Sequence, residues 1–255
     1  MSFADKVVFI SGASSGIGAA TAIEFAKEGA NVIINGFNNI ENETKLNNVY
    51  KQCEKYGKKP LIVKADISKD EEAKTAIEET IKHFGRLDVL VNNAGVSKSG
   101  SILDGNLMAS YDAVMATNLR AVMHLTTLAT PYLIKTKGNI INISSVSGKS
   151  SPVLPQMLSY GISKAALDHF TRCAALELSE YGVRVNAISP GPVETDFRQN
   201  AGLGIGNRTE RENLTPLKRV SKPIEIAVLI LFLASDKAKG ITGSDFVSDN
   251  GFLCK

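Results

Sequence analysis

The sequence predicts an α/β protein: a single domain over residues 1–255, built on a doubly wound sheet of about seven parallel strands with helices on both faces. Two observations carry this expectation. Short apolar, β-branched runs alternate with longer helical patterns along the whole chain, and no linker, repeat or shift in composition interrupts them. The runs also lack the every-other-residue polarity of a half-exposed strand, as expected of parallel strands covered on both faces.

In order, Val7–Ile10 reads as a strand and Gly18–Glu28 as a helix. Val32–Ile34 precedes a charged helix around Glu43–Tyr56, and Leu61–Val63 precedes a helix over Glu71–Phe84. Val89–Val91 leads through a Gly- and Ser-rich loop into one long helix, Met108–Tyr132. Asn139–Ile143 precedes a helix with an amphipathic run at Ala165–Leu178. Val183–Ile188 precedes a loop at 196–216 that holds Gly202, Gly204 and Gly206. A helix near Ile224–Ala234 and a short strand at Asp245–Val247 follow.

Composition excludes several classes of function. A hydrophobic content of 44% and a charged content of 22% are those of an ordinary soluble globular protein. A net charge of +3, with the lysines scattered, gives no electrostatic footprint for nucleic acid. Cys53, Cys173 and Cys254 are too few and too far apart for a disulfide framework or a zinc site, which suits a reducing compartment. No metal is expected, since His83, His124 and His169 form no ligand pair. Met1–Lys6 is no signal peptide, the longest apolar run, Ile226–Ala234, is too short to span a bilayer, and Lys255 ends no lipidation motif. A cytoplasmic protein with neither membrane nor nucleic-acid partners is expected.

Two stretches carry chemistry. Tyr160 and Lys164 stand four residues apart, which on a helix puts both on one face. An ammonium there favours phenolate over phenol and lowers the tyrosine from its ordinary pKa of about 10, although an isolated pair of this kind is usually a solvated helix face. The second stretch is Ser11–Gly18, directly after the first strand and opening a helix. Its glycines permit a tight turn and close approach to a pyrophosphate, and the helix N-terminus offers free N–H groups and positive dipole.

Together with these come Asp66 after the third strand, Asn92-Asn93-Ala94-Gly95 after the fourth and Asn118 in the next helix. Ser144-Ser145 follows the fifth strand and Pro190-Gly191 the sixth. From Lys6 to about Gly251 the chain resembles a short-chain dehydrogenase/reductase of the classical type, a Rossmann-like fold. The resemblance implies an oxidoreductase interconverting a secondary alcohol and a ketone or aldehyde with NAD(H) or NADP(H). Tyr160 would be the general acid/base and Ser145 a donor to the reacting oxygen. Lys164 would tune Tyr160 and bind the nicotinamide ribose, and Asn118 would hold, through its backbone, a relay water. The phosphate turn would be Gly12, Ser14, Ser15, Gly16, Ile17 and Gly18. Asp66 and Ile67 would contact adenine, while Asn92, Ala94 and Gly95 line the cofactor with Tyr160 and Lys164. Pro190 and Gly191 would also belong to the cofactor site, and Val193 and Thr195 would reach the carboxamide.

The resemblance leaves the 2′ group open. Gly36 stands where an NAD-type acid is expected, and Phe37 where an NADP-type arginine is expected. Without a cation a 2′-phosphate is poorly compensated, so NAD is slightly favoured, with Lys45 as a possible substitute cation. Residues Ser97–Asp104, Val153–Leu158 and Phe197 are expected to border a largely apolar alcohol or carbonyl substrate, beneath a mobile loop at 196–216. The interval from Ser145 to Tyr160 is longer than is usual in the family, with Pro152 and Pro155 stiffening it. A homotetramer or homodimer packed through Met108–Tyr132 and Leu158–Tyr181 is implied. A dinucleotide-binding regulatory or scaffold protein of the same fold is the alternative, and it would have no need of Ser145, Tyr160 and Lys164 together.

Overall fold

The computed structural model describes residues 3–151, 154–202 and 208–254, with the side chains of Arg198 and Arg208 excepted. Pro152, Val153, Gly204 and Gly206, together with the chain ends Met1 and Lys255, lie outside the described residues.

Seven strands form one parallel sheet: β1 (Val7–Ile10), β2 (Asn31–Gly36), β3 (Leu61–Lys64), β4 (Val89–Asn92), β5 (Asn139–Ile143), β6 (Arg184–Pro190) and β7 (Asp245–Ser248). Their spatial order is β3-β2-β1-β4-β5-β6-β7. Ile10 pairs with Ile34 on one side and Val91 on the other, so the order reverses at β1 and a crevice opens beyond the strand ends there.

The helices are α1 (Gly16–Lys27), α2 (Ile40–Glu54), α3 (Asp70–Phe84), α4 (Leu107–Met115), α5 (Ala121–Thr136), α6 (Leu158–Leu178), α7 (Phe197–Asn200), α8 (Arg208–Asn213) and α9 (Pro223–Ala234). Two apolar layers sandwich the sheet. Phe25 of α1, Leu46 of α2 and Ile226, Ile230 and Leu233 of α9 pack on Val8, Ile10, Ile34 and Val91. Ile77 of α3, Leu125 and Leu133 of α5 and Leu178 of α6 pack on Val7, Phe9, Leu90 and Ile140. Neighbouring strand residues thus serve opposite faces, which is why whole strand runs are apolar. No helix among the described residues is long and apolar enough to cross a membrane.

Two parts differ from the sequence expectation. The single helix Met108–Tyr132 is instead α4 and α5, joined by a five-residue π turn at Ala116–Arg120. Apolar periodicity runs through both helices, and one extra residue in a turn does not interrupt it. The loop at 196–216 also carries helical turns, α7 and α8, and is tied back where the Glu194 N–H donates to the Ser221 carbonyl at 2.9 Å.

Candidate active site

The glycine turn, the loop after β4, the end of β5, the start of α6 and the segment after β6 all face one cavity of about 520 Å³. At its floor Gly12 and Gly16 take φ of +62° and +55°, in the left-handed region that glycine enters without strain. A Cβ on Gly12 would lie 2.8 Å from the Ala94 backbone, and one on Gly18 2.3 Å from the Gly12 carbonyl. Those two glycines therefore let the turn pack against its own protein. Gly16 faces the cleft: a Cβ there would sit 3.0 Å from Thr195 across it. Above the turn stands the N-terminus of α1. Its N-cap, Ser15, makes no side-chain capping bond, and its first turn holds no acid. Free N–H groups and an uncompensated dipole end beside a cleft that a single Cβ would narrow fit a pyrophosphate.

Tyr160 lies in the first turn of α6 and Lys164 one turn later, both buried. The Lys164 ammonium donates to the Ile143 carbonyl at 2.7 Å and stands 5.6 Å from the centre of the Tyr160 ring. Burial pushes the phenol up to about 12, with a side-chain hydrogen bond from Ser145 opposing. Burial also pulls Lys164 down to about 8, against the charge of Asp168. This corrects the lowered phenol expected from the four-residue spacing: in the free protein desolvation raises it instead, and Tyr160 is a protonated phenol at neutral pH. Between the adjacent serines, geometry distinguishes. Ser144 donates to the Lys164 carbonyl at 3.3 Å, whereas the Ser145 hydroxyl accepts from the Ser147 N–H at 3.1 Å and lies close enough to Tyr160 to oppose its shift.

Most expected site residues share the cavity wall: Ser14, Ser15 and Ile17, then Phe37, Ile67, Ala94 and Gly95, then Pro190, Gly191, Val193 and Thr195. Four do not, and each has another task. Gly18 is the packing glycine described above. Asn92 is buried behind the wall and donates to Asn142 at 2.9 Å. The Asp66 carboxylate accepts from the Ser68 hydroxyl at 2.7 Å and closes a turn. Asn118, in the π turn, is buried: its Oδ1 accepts from the Val96 N–H and its Nδ2 donates to the Val96 carbonyl, both at 2.8 Å.

Asn93 was missed. Its Nδ2 donates to the carbonyls of Ser11 and Gly12, both at 2.9 Å, and so holds the glycine turn against the β4 loop. The sequence signal was present, as the second Asn of Asn92-Asn93-Ala94-Gly95. At the substrate end the Phe197 ring lies 5.2 Å from that of Tyr160, and Leu154, Met157, Leu214 and Phe252 add apolar wall.

Comparisons with known proteins agree with this architecture. Residues 12–253 match the family model described as enoyl-(acyl carrier protein) reductase. The chain is 37% identical over 249 residues to the 3-oxoacyl-(acyl-carrier-protein) reductase FabG of Thermotoga maritima, covering 97% of this chain and 98% of that protein. A short-chain dehydrogenase/reductase of unknown function from Caenorhabditis elegans, solved with cofactor, superposes with a TM-score of 0.88 at 36% identity, covering 99% of this chain and 96% of that one. A short-chain dehydrogenase from Burkholderia cenocepacia in complex with NADP gives a TM-score of 0.89 at 29% identity, covering 99% of this chain and 100% of that one. With its seven-stranded parallel sheet and this run of motifs, the chain belongs to the classical short-chain dehydrogenase/reductase family, oxidoreductases acting on CH–OH groups with NAD or NADP.

Proposed function

We propose that this cavity reduces a ketone or aldehyde to the alcohol, and runs the reverse reaction, with Tyr160 as the proton donor and acceptor. The observation that carries the reading is that the glycine turn and the Ser145–Tyr160–Lys164 group open into the same cavity. The bound nicotinamide dinucleotide supplies or accepts the hydride. Tyr160, protonated in the free protein, is in the state that donates to a developing alkoxide, which suits the reducing direction. Ser145 donates to the same oxygen and so orients the carbonyl. Lys164 keeps an ammonium beside the phenol and would bind the ribose hydroxyls of the cofactor. Asn118, in the π turn, is the residue whose backbone would hold a relay water next to Lys164.

NAD(H) is the proposed cofactor. The adenosine end of the cavity has no arginine, and Lys45, which lines it, is already bonded to Glu41 at 2.6 Å. Glu41 neutralises Lys45 and Asp196 also lines the cavity, so beside α2 a 2′-phosphate dianion would meet no unpaired cation. Exposed apolar side chains on α4, α5 and α6 support a homo-oligomer packed through those helices.

Two measurements test the reading. NADH and NADPH titrated separately by fluorescence are expected to show tighter binding of NADH, and equal affinities would reject the cofactor assignment. Tyr160→Phe is expected to lower kcat by at least about a thousandfold while leaving NADH affinity within about twofold. Unchanged turnover would reject Tyr160 as the acid.

A further inference from the structure

We infer that the substrate carries a carboxylate in addition to its reacting carbon, and that Arg211 holds it. The inference rests on the oxidoreductase reading of the cavity. Three cationic side chains line the wall: Lys45, Lys164 and Arg211. Lys45 is bonded to Glu41 and Lys164 to the Ile143 carbonyl. Arg211, on α8, is half-buried, its Nε is enclosed without a hydrogen-bond partner, and among the described residues no acid forms an ion pair with it. A lysine in that position can shed its proton, as the depressed Lys164 shows in part. A guanidinium cannot, so it stays charged and its enclosed Nε–H is left for an acceptor brought into the cavity. The planar fork of an arginine matches a carboxylate with two parallel bonds.

The neighbourhood supports substrate over cofactor as the source of that acceptor. Pyrophosphate is accommodated by the amides of α1 across the cavity floor, whereas α8 belongs to the segment after β6 that also places Phe197 against Tyr160. Leu214, one turn beyond Arg211, lines the wall too. Ser97 adds a second unsatisfied group, a buried hydroxyl in the same wall with no partner. An apolar chamber with one uncompensated guanidinium and one idle hydroxyl selects a carbonyl compound that is apolar in the middle and anionic at one point, an oxo acid or its hydroxy acid. This narrows the expectation of a largely apolar substrate.

The experiment compares short-chain 3-oxo acids with their ethyl esters on the cofactor-loaded protein. The acids are expected to show the lower KM. Arg211→Gln is expected to raise that KM about tenfold to a hundredfold with kcat, ester kinetics and NADH affinity nearly unchanged, and Arg211→Lys to recover part of the loss. Calorimetry of a 3-hydroxy acid against the loaded enzyme supplies a readout independent of turnover, with binding in the wild type weakened in Arg211→Gln. Equal use of acids and esters overturns the inference and leaves the oxidoreductase reading intact. A loss of NADH affinity in Arg211→Gln reassigns the guanidinium to the cofactor and also overturns it. If NADH and NADPH both fail to bind the wild type, the underlying reading falls and this inference with it.

Discussion

At the scale of single residues, the pair Tyr160 and Lys164 is governed by desolvation. Both side chains are buried, and burial moves them in opposite directions, the phenol up to about 12 and the ammonium down to about 8. In the free protein Lys164 is therefore charged below about pH 8 and increasingly neutral above it. A polyanionic dinucleotide favours the charged form. Below about 8 binding takes up no proton at this residue, and above it binding must first restore one. Linkage then requires NADH affinity to be flat at neutral pH and to fall by up to tenfold per unit as pH rises past about 8. Lys164→Met is expected to bind more weakly at neutral pH and to lose this decline. Titrations from pH 6 to 10 check it, and a wild-type profile flat through that range would rule out the mechanism. The helix dipole adds a smaller effect of its own, since Tyr160 in the first turn of α6 feels a positive end that favours phenolate.

At the scale of elements, the stretch between β4 and β5 separates what was legible in the sequence from what was not. The strands and most helices were readable because burial on both faces writes them as apolar runs, and β1 and β5 fall at Val7–Ile10 and Asn139–Ile143 as expected. The ordered motifs likewise located the cavity, since loops at the strand ends converge there whatever their side chains. The π turn was not legible: it changes which carbonyl each N–H meets, a backbone property that leaves the side-chain pattern intact. Nor was it visible that Asp66, Asn92 and Asn118 would turn their side chains to protein partners, because an Asn or Asp reads the same facing a ligand or a loop. Arg211 went unnoticed since a lone arginine in a polar loop carries no pattern. Asn118 offers the sharpest test at this scale. Its side chain makes three bonds, two to the Val96 backbone and one to Ser163 at 3.1 Å. Asn118→Ala strands those groups in a largely buried site and is expected to destabilise the fold by about 2–4 kcal/mol. Urea denaturation measures this, and a change under about 0.5 kcal/mol would show that the lock contributes little.

At the scale of the whole molecule, apolar surface is left on the face covered by α4, α5 and α6. Leu176 is 80% exposed and Met108 62%, with Met123 and Ile162 nearly half exposed. Scattered single exposures are ordinary, but these lie on α4, α5 and α6, which are joined through the π turn. The consequence reaches the chemistry, because α6 carries Tyr160 and Lys164 at one end and Leu176 at the other. A mate seated on α6 would brace the helix that positions the acid. Light scattering of the wild type is expected to give a dimer or tetramer, and Leu176→Glu with Ile162→Glu a smaller species, since two unpaired carboxylates would otherwise be buried in the interface. Neither position lines the cavity, so the double variant should keep NADH affinity while its melting temperature and kcat fall together. A wild type that runs as a monomer removes this role for the patch. An oligomer undisturbed by both glutamates places the interface on another face, and α6 is then held by its own chain, through α4 and β6.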